Sequence, residues 1–199
     1  MATQKGVFYF YDYKNNPDSV RSKLEKFDFN SAVMHPTEAL VLAASENGSL
    51  YLWNVDSDEI TVLPNHLDRV RDAEFSADGN WIVSGSWDNT AILWKRNDSG
   101  AYHQFGANII AHTNDIEDVE FYDNDLFLTA SSDYTVRIFE RNGDTFKPIP
   151  SLIRHEHKIT AATFSADGQY IYSGDVKGNI KKWAFREFEA DIKARLPVE

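Results

Sequence analysis

Along this chain apolar and polar residues alternate in short runs that end on an aromatic side chain, and the runs recur. One is Gly6-Val7-Phe8-Tyr9-Phe10-Tyr11-Asp12, and another is Gly48-Ser49-Leu50-Tyr51-Leu52-Trp53-Asn54. The pattern returns in Thr90-Ala91-Ile92-Leu93-Trp94, in Thr135-Val136-Arg137-Ile138-Phe139 and in Asn179-Ile180-Lys181-Lys182-Trp183. Alternation sends successive side chains to opposite faces, so each run predicts a β-strand. The aromatic tips, Tyr11, Trp53, Trp94, Phe139 and Trp183, recur at roughly 40–45 residues, the length of a four-stranded repeat unit.

The intervals between tips repeat too. Phe75-Ser76-Ala77-Asp78-Gly79 recurs as Phe164-Ser165-Ala166-Asp167-Gly168. Its counterparts are Met34-His35-Pro36-Thr37-Glu38 and the shorter Phe121-Tyr122-Asp123-Asn124. Asp-Gly tolerates positive φ and marks a tight turn. A strand of apolar and small residues follows, as in Trp81-Ile82-Val83-Ser84-Gly85-Ser86 and Tyr170-Ile171-Tyr172-Ser173-Gly174. A second polar turn, such as Trp87-Asp88-Asn89, leads into the aromatic-tipped strand. Turns at this frequency predict an all-β fold built from blades of four antiparallel strands.

Numbered outward from the axis, the strands predict a third strand over residues 6–12 and a fourth within 20–26. Three whole blades follow, with fourth strands near residues 59–64, 104–110 and 147–153. The last unit has three strands ending at Trp183. Phe185, Phe188, Ile192 and Leu196 fall roughly on one helical face, so residues 185–196 read as either a fourth strand or a short helix. The resulting divisions are 1–27, 28–66, 67–112, 113–155 and 156–199, about four to four and a half blades.

The pattern resembles the WD-repeat β-propeller family over nearly the whole chain. The resemblance implies a structural tetrad per blade: a His before the first strand, a Ser or Thr ending the second, an Asp in the next turn and a Trp in the third. His66, Ser86, Asp88 and Trp94 match in full, and His112, Ser131, Asp133 and Phe139 match at three positions. The first whole unit keeps Ser45 and Trp53 but has Glu25 and Asn47 in the other places. The last keeps His155 and Trp183 but has Asp175 and Lys177 where Ser and Asp belong.

A Ser, a His and an Asp together imitate a hydrolase site. Here the set recurs in register with an aromatic residue, and Ser86 closes a strand rather than standing on a sharp turn, so a buried structural clasp is expected. His155 and His157 flank Glu156 but lack a further ligand in register. Asp123 and Asp125 read as turn residues, and no glycine-rich phosphate loop is present. The expectation is a non-enzymatic protein with no cofactor and no metal.

Composition narrows the partners. Hydrophobic residues make up 42% and aromatics 14%, ample for a core. The formal net charge of −11 opposes a general nucleic-acid partner. The absence of cysteine removes disulfides and thiolate chemistry and fits an intracellular, more cytoplasmic than nuclear, setting. Val7–Tyr11 is too short for a signal core or a membrane span.

Rings close with roughly four to eight blades, so an arc of this length is expected to be an incomplete ring. A second copy, another chain or the remainder of a longer propeller would complete it; completion by another polypeptide is the favoured expectation, making the protein an oligomer or a subunit of a complex. In the family, partners dock on the face carrying the start of the first strand and the turn after the second. Alignment places Asn30, Arg71, Glu117 and Thr160 at the first location, and Glu46, Trp87, Ser132 and Val176 at the second. Trp87, with Arg71 in cation–π reach, is the leading candidate. Two functions follow: a scaffold or adaptor for a protein or peptide, or a structural subunit that completes a larger ring.

Overall fold

A computed structural model describes residues 2–3, 7–11, 20–24, 28–150 and 153–185. It is all-β: five antiparallel sheets stand side by side as the blades of an incomplete β-propeller. The first sheet comprises β1 (Ala2–Thr3), β2 (Val7–Tyr11) and β3 (Val20–Leu24), with β2 central. Blade 1 comprises β4 (Phe29–Met34), β5 (Leu40–Ser45), β6 (Leu50–Asn54) and β7 (Ile60–Leu63). Blade 2 comprises β8 (Val70–Phe75), β9 (Trp81–Ser86), β10 (Ala91–Arg96) and β11 (Tyr102–Gln104). Blade 3 comprises β12 (Ile116–Phe121), β13 (Leu126–Ser131), β14 (Val136–Asn142) and β15 (Thr145–Ile149). Blade 4 has three described strands, β16 (Ile159–Phe164), β17 (Tyr170–Asp175) and β18 (Ile180–Ala184).

Three expectations need correcting. Ala2 and Thr3 pair with Phe8 and Val7, so the strand over residues 6–12 is preceded by another and the first sheet has three strands. The outer strand of blade 2 runs Tyr102–Gln104, ahead of the expected 104–110. Gly106, at φ 72°, turns the chain there, and pairing resumes only as a bridge between Ala91 and Ile109. The outer strand of blade 3, Thr145–Ile149, likewise precedes the expected 147–153, and Pro148 is tolerated because this is an edge strand. Beyond Phe185 the alternatives for residues 185–196 lie outside the described residues.

The sheets are buried on both faces because each packs on the next. Leu42, Ala44, Leu50 and Leu52 of blade 1 meet Val70, Ala73 and Phe75 of blade 2. Val83, Ala91 and Leu93 of blade 2 meet Ile116 and Val119 of blade 3. Leu128, Ala130, Val136 and Ile138 of blade 3 meet Ile159, Ala162 and Phe164 of blade 4. The same register in blade 4 carries Tyr172, Gly174, Ile180 and Lys182. Ile180 is 79% exposed, whereas Leu50, Ala91 and Val136 are buried. Lys182, in place of Leu52, Leu93 and Ile138, lies 3.6 Å from the Tyr170 ring centroid.

Rings also dock across the blades. The His35 ring lies against Gly79 of the following blade, with Nε2 3.3 Å from the Gly79 carbonyl oxygen, and Tyr122 donates to the Ala166 carbonyl at 3.3 Å beside Gly168. Gly79 has φ 71°, and a Cβ there would lie 2.0 Å from His35 Nε2. Gly106 has the same backbone geometry with nothing near it. Gly79→Ala is therefore expected to cost about 1–3 kcal/mol more than Gly106→Ala in urea unfolding, the overpacking share alone; equal losses would count against the ring-on-glycine seam.

Candidate functional site

Three blades hold a buried polar chain. In blade 2, His66 Nδ1 is 2.9 Å from Asp88 Oδ2 and His66 Nε2 is 2.8 Å from Ser84 Oγ, while Trp94 Nε1 donates to Ser84 Oγ at 3.1 Å. A carboxylate only accepts, so Nδ1 carries the ring proton; in the neutral ring Nε2 then accepts from the hydroxyl. Blade 3 repeats this through His112, Asp133 and Thr129 at 3.0 and 2.7 Å, with Phe139 offering no indole donor. Blade 4 has the complete set: His155 to Asp175 at 3.0 Å, His155 to Ser173 at 2.7 Å and Trp183 to Ser173 at 2.9 Å.

The hydroxyl is therefore not the one expected. Ser86 and Ser131 lie two residues further along, where their hydroxyls donate to the carbonyls of Asp68 and Asn114 and accept from the amides of Asp88 and Asp133. Two residues is one full period of a strand, so both hydroxyls point the same way and only depth separates them. In blade 4, Asp175 occupies the place of Ser86, yet its carboxylate reaches the histidine and also accepts from the Lys177 and Asn179 amides. One aspartate does the work of two residues, so Lys177 leaves no gap. In blade 1, Ala43 stands at the Ser84 position, and Trp53 donates instead to Asp58 at 3.1 Å while Asn47 donates to the Tyr51 hydroxyl at 2.8 Å. Glu25 lies outside the described residues.

Burial alone would raise the Asp88 and Asp133 carboxyls. Hydrogen bonds from His66 and Thr90, and from His112 and Thr135, outweigh it and hold both well below the usual carboxylate range. Ser84, Thr129 and Ser173 are buried and hydrogen-bonded to the histidines, the arrangement of a structural clasp rather than of an exposed nucleophile. Among the described residues no group of His, Cys, Asp and Glu is placed to hold a metal, and no helix is long and apolar enough to cross a membrane.

The second constellation lies where the turns after the second strands meet the starts of the first strands. The turns share one geometry: Gly48, Asn89, Tyr134 and Gly178 all have φ between 69° and 83°. The amides of Glu46, Trp87, Ser132 and Val176 donate to the carbonyls of Asp28, Arg69, Asp115 and Lys158. This places the expected positions along one face. Glu117 Oε2 accepts from Arg71 Nε at 3.2 Å and from Trp87 Nε1 at 3.3 Å, and Glu117 Oε1 accepts from the Ser132 hydroxyl at 2.9 Å. Arg71 also donates to Asn30 Oδ1 at 3.2 Å, and so spans three blades. Its guanidinium is 5.7 Å from the Trp87 ring centroid.

A residue not singled out lies closer: the Arg69 guanidinium is 4.4 Å from that ring, and its ion pair at 3.5 Å brings in Glu46. Its signal was present, since Arg69 stands two residues before Arg71, at the entry to β8. Thr160 and Val176 occupy the same face of blade 4 but stay outside the Glu117 network. Thr160 donates to the Gly174 carbonyl at 3.4 Å, and Val176 is exposed.

The repeat described as "WD domain, G-beta repeat" matches residues 57–95, 104–140 and 146–184, more than half of the chain. This chain belongs to the WD-repeat family. Each matched WD repeat runs from one blade's outer strand to the next blade's third strand, offset by one strand from the sheets. Among curated WD-repeat relatives, Protein hir1 of Schizosaccharomyces pombe is 21% identical over 188 residues, 79% of this chain and 20% of that protein. Small ribosomal subunit protein RACK1y of Oryza sativa is 24% identical over 160 residues, 77% of this chain and 46% of that protein. SIR4-interacting protein SIF2 of Saccharomyces cerevisiae is 26% identical over 154 residues, 72% of this chain and 28% of that protein. The chain thus spans from about a fifth to under half the length of these relatives. WD-repeat relatives generally serve as protein-interaction scaffolds.

The buried chain yields a direct test. Ser84→Ala removes the partner of two buried groups and is expected to cost about 1–3 kcal/mol and to shift the Trp94 indole N–H resonance. Ser86→Ala should leave that resonance in place. The reverse pattern of resonance shifts would restore Ser86 as the clasp.

Proposed function

We propose that this WD-repeat chain is a non-catalytic, intracellular scaffold that binds a protein or peptide on the face built from Arg69, Arg71, Trp87 and Glu117. What carries the reading is that three blades converge there: Glu117 ties an indole, a guanidinium and a hydroxyl together in one partly exposed cluster. Trp and Arg are the residues that most often anchor interfaces, and here their geometry is fixed before any partner arrives, which lowers the ordering cost. Asn30, Glu46 and Ser132 support the cluster, while Thr160 and Val176 extend the face onto blade 4. The names of the relatives fit a partner of this class, since one is described by its interaction with SIR4 and another as a ribosomal subunit protein.

Affinity capture with the wild-type chain, Trp87→Ala, Glu117→Ala and the outer-strand control Val62→Ala tests this reading. The first two substitutions are expected to weaken capture of specific partners at least tenfold, about 1.4 kcal/mol, with thermal unfolding still cooperative. Identical partner sets from all four proteins would refute it.

A second reading rests on the open side of blade 4. Ile180 is exposed at a register position that is buried in the three preceding blades, so the chain completes a larger ring with a second copy or another chain. Light scattering at micromolar concentration is then expected to report a mass above the monomer, and Ile180→Asp to lower it. A stable monomer at all concentrations would leave the scaffold reading alone.

A further inference from the structure

The first strands of blades 2 and 3 each carry a bulge, between Val70 and Asp72 and between Ile116 and Asp118. At both bulges an aspartate reaches into the next blade. Asp72 Oδ2 accepts from the Val119 amide at 3.2 Å, and Asp118 Oδ2 accepts from the Ala162 amide at 2.7 Å. Asp118 directly precedes Val119, whose amide Asp72 accepts, and both carboxyl groups line the same wall of the seam. Ionised carboxylates have only acceptors, so a hydrogen bond between two such neighbours requires a proton. Glu74 and Glu120 follow two residues along the same strands, and all four acids line one concavity of about 440 Å³, through which solvent can exchange protons.

Among the described residues no cation is ion-paired to these four acids, and a lysine of blade 4, Lys182, lies over the Tyr172 ring at 5.7 Å. β8 brings Asp72 and Glu74 to this wall, and β12 brings Asp118 and Glu120. β16 presents Ala161 and Thr163, with the Thr163 hydroxyl and the Phe164 amide donating to Glu120 at 3.1 and 3.3 Å. β17 contributes Tyr172, and β9 and β13 carry no ionisable side chain. Arg71 and Glu117 are bound to each other on the turn-bearing face, and Lys182 lies against Tyr170.

We propose that Asp72 and Asp118 form a proton-held latch between the first strands of blades 2 and 3, which opens when the shared proton is lost. With the proton in place, one hydrogen bond clamps the two bulges. Without it, two like charges face each other across the seam beside two more carboxylates, while each aspartate keeps its amide. Burial, and then the charge of Asp72, pushes Asp118 well above the carboxylate range. Burial, with Asp72 and Glu120 adding, pushes Glu74 up to about 7. The sign follows from linkage. The folded chain keeps protons that the unfolded chain has released, so stability falls as pH rises from the ordinary carboxylate range through these raised values. The latch is independent of any partner on the Trp87 face.

Urea unfolding of the full chain at pH 5.5, 7 and 8.5, with amide exchange corrected for intrinsic rates, tests the latch. The folding equilibrium constant is expected to fall at least about tenfold from pH 5.5 to 8.5, the effect of one pKa unit, with protection at Val119 falling in step. Asp118→Asn retains an acceptor for Ala162 and a permanent donor to Asp72, so the pH dependence should shrink to the part that Glu74 carries. A variant as pH-sensitive as the wild type would overturn the proposal. Should Asp118→Asn fail to fold, Asp72→Asn fixes the donor from the other side, and carboxyl carbon titration of the wild type decides. One aspartate titrating above pH 6 supports the latch, and none above pH 5 removes it.

Discussion

A sheet with apolar side chains on both faces is stable in water only when another sheet covers each face. That constraint organises this chain. Leu50, Ala91 and Val136 occupy one register position in successive blades, and each is buried by the first strand of the next blade. The central strands bury large side chains, among them Trp53, Trp94 and Phe127, because both faces are occupied. Polar groups enter this interior only in saturated sets: the histidine takes a carboxylate at one nitrogen and a hydroxyl at the other, and loops that would otherwise leave donors unpaired are tied to strands.

The same kinds of residue serve a different purpose where that constraint relaxes. His66, Ser84, Asp88 and Trp94 are enclosed within one blade, and their chemistry is spent on one another. Arg69, Arg71, Trp87 and Glu117 are joined between blades and remain partly in solvent. A Trp and an acid appear in both sets, so residue type does not separate clasp from surface. Direction does: His66 and Asp88 turn inward from loops onto Ser84 and Trp94 of their own blade, whereas Arg71 and Trp87 reach across to Glu117 of the next.

This difference explains what could be read from the sequence. The aromatic tips and the Asp-Gly turns are local signals, and the three four-stranded sheets and the WD-repeat relationship followed from them. The tetrad hydroxyl did not, because Ser84 and Ser86 share a strand face and nothing in the sequence records how deep the histidine ring sits. Asp175 was misread for a related reason: alignment by chain position hides a carboxylate that reaches the same histidine from two residues earlier. Outer strands were the least legible, since a single turn at Gly106 shifts the pairing of blade 2. The converging positions Arg71, Trp87 and Glu117 were found by register, whereas Arg69 was passed over although it stands just before β8, two residues from Arg71. The acids of the inner wall, Asp72, Glu74, Asp118 and Glu120, gave no signal, because their proximity arises only when blades stack.

The one-strand offset between the matched WD repeats and the sheets has a consequence for how such a chain grows. A unit inserted in tandem does not add a free-standing block. It donates an outer edge to its predecessor and receives one from its successor, so every covalent copy is interlocked with two neighbours. Duplication therefore lengthens the arc without creating a new joint, and loss of one whole copy shortens it by a blade, because the successor's outer strand completes the predecessor's sheet.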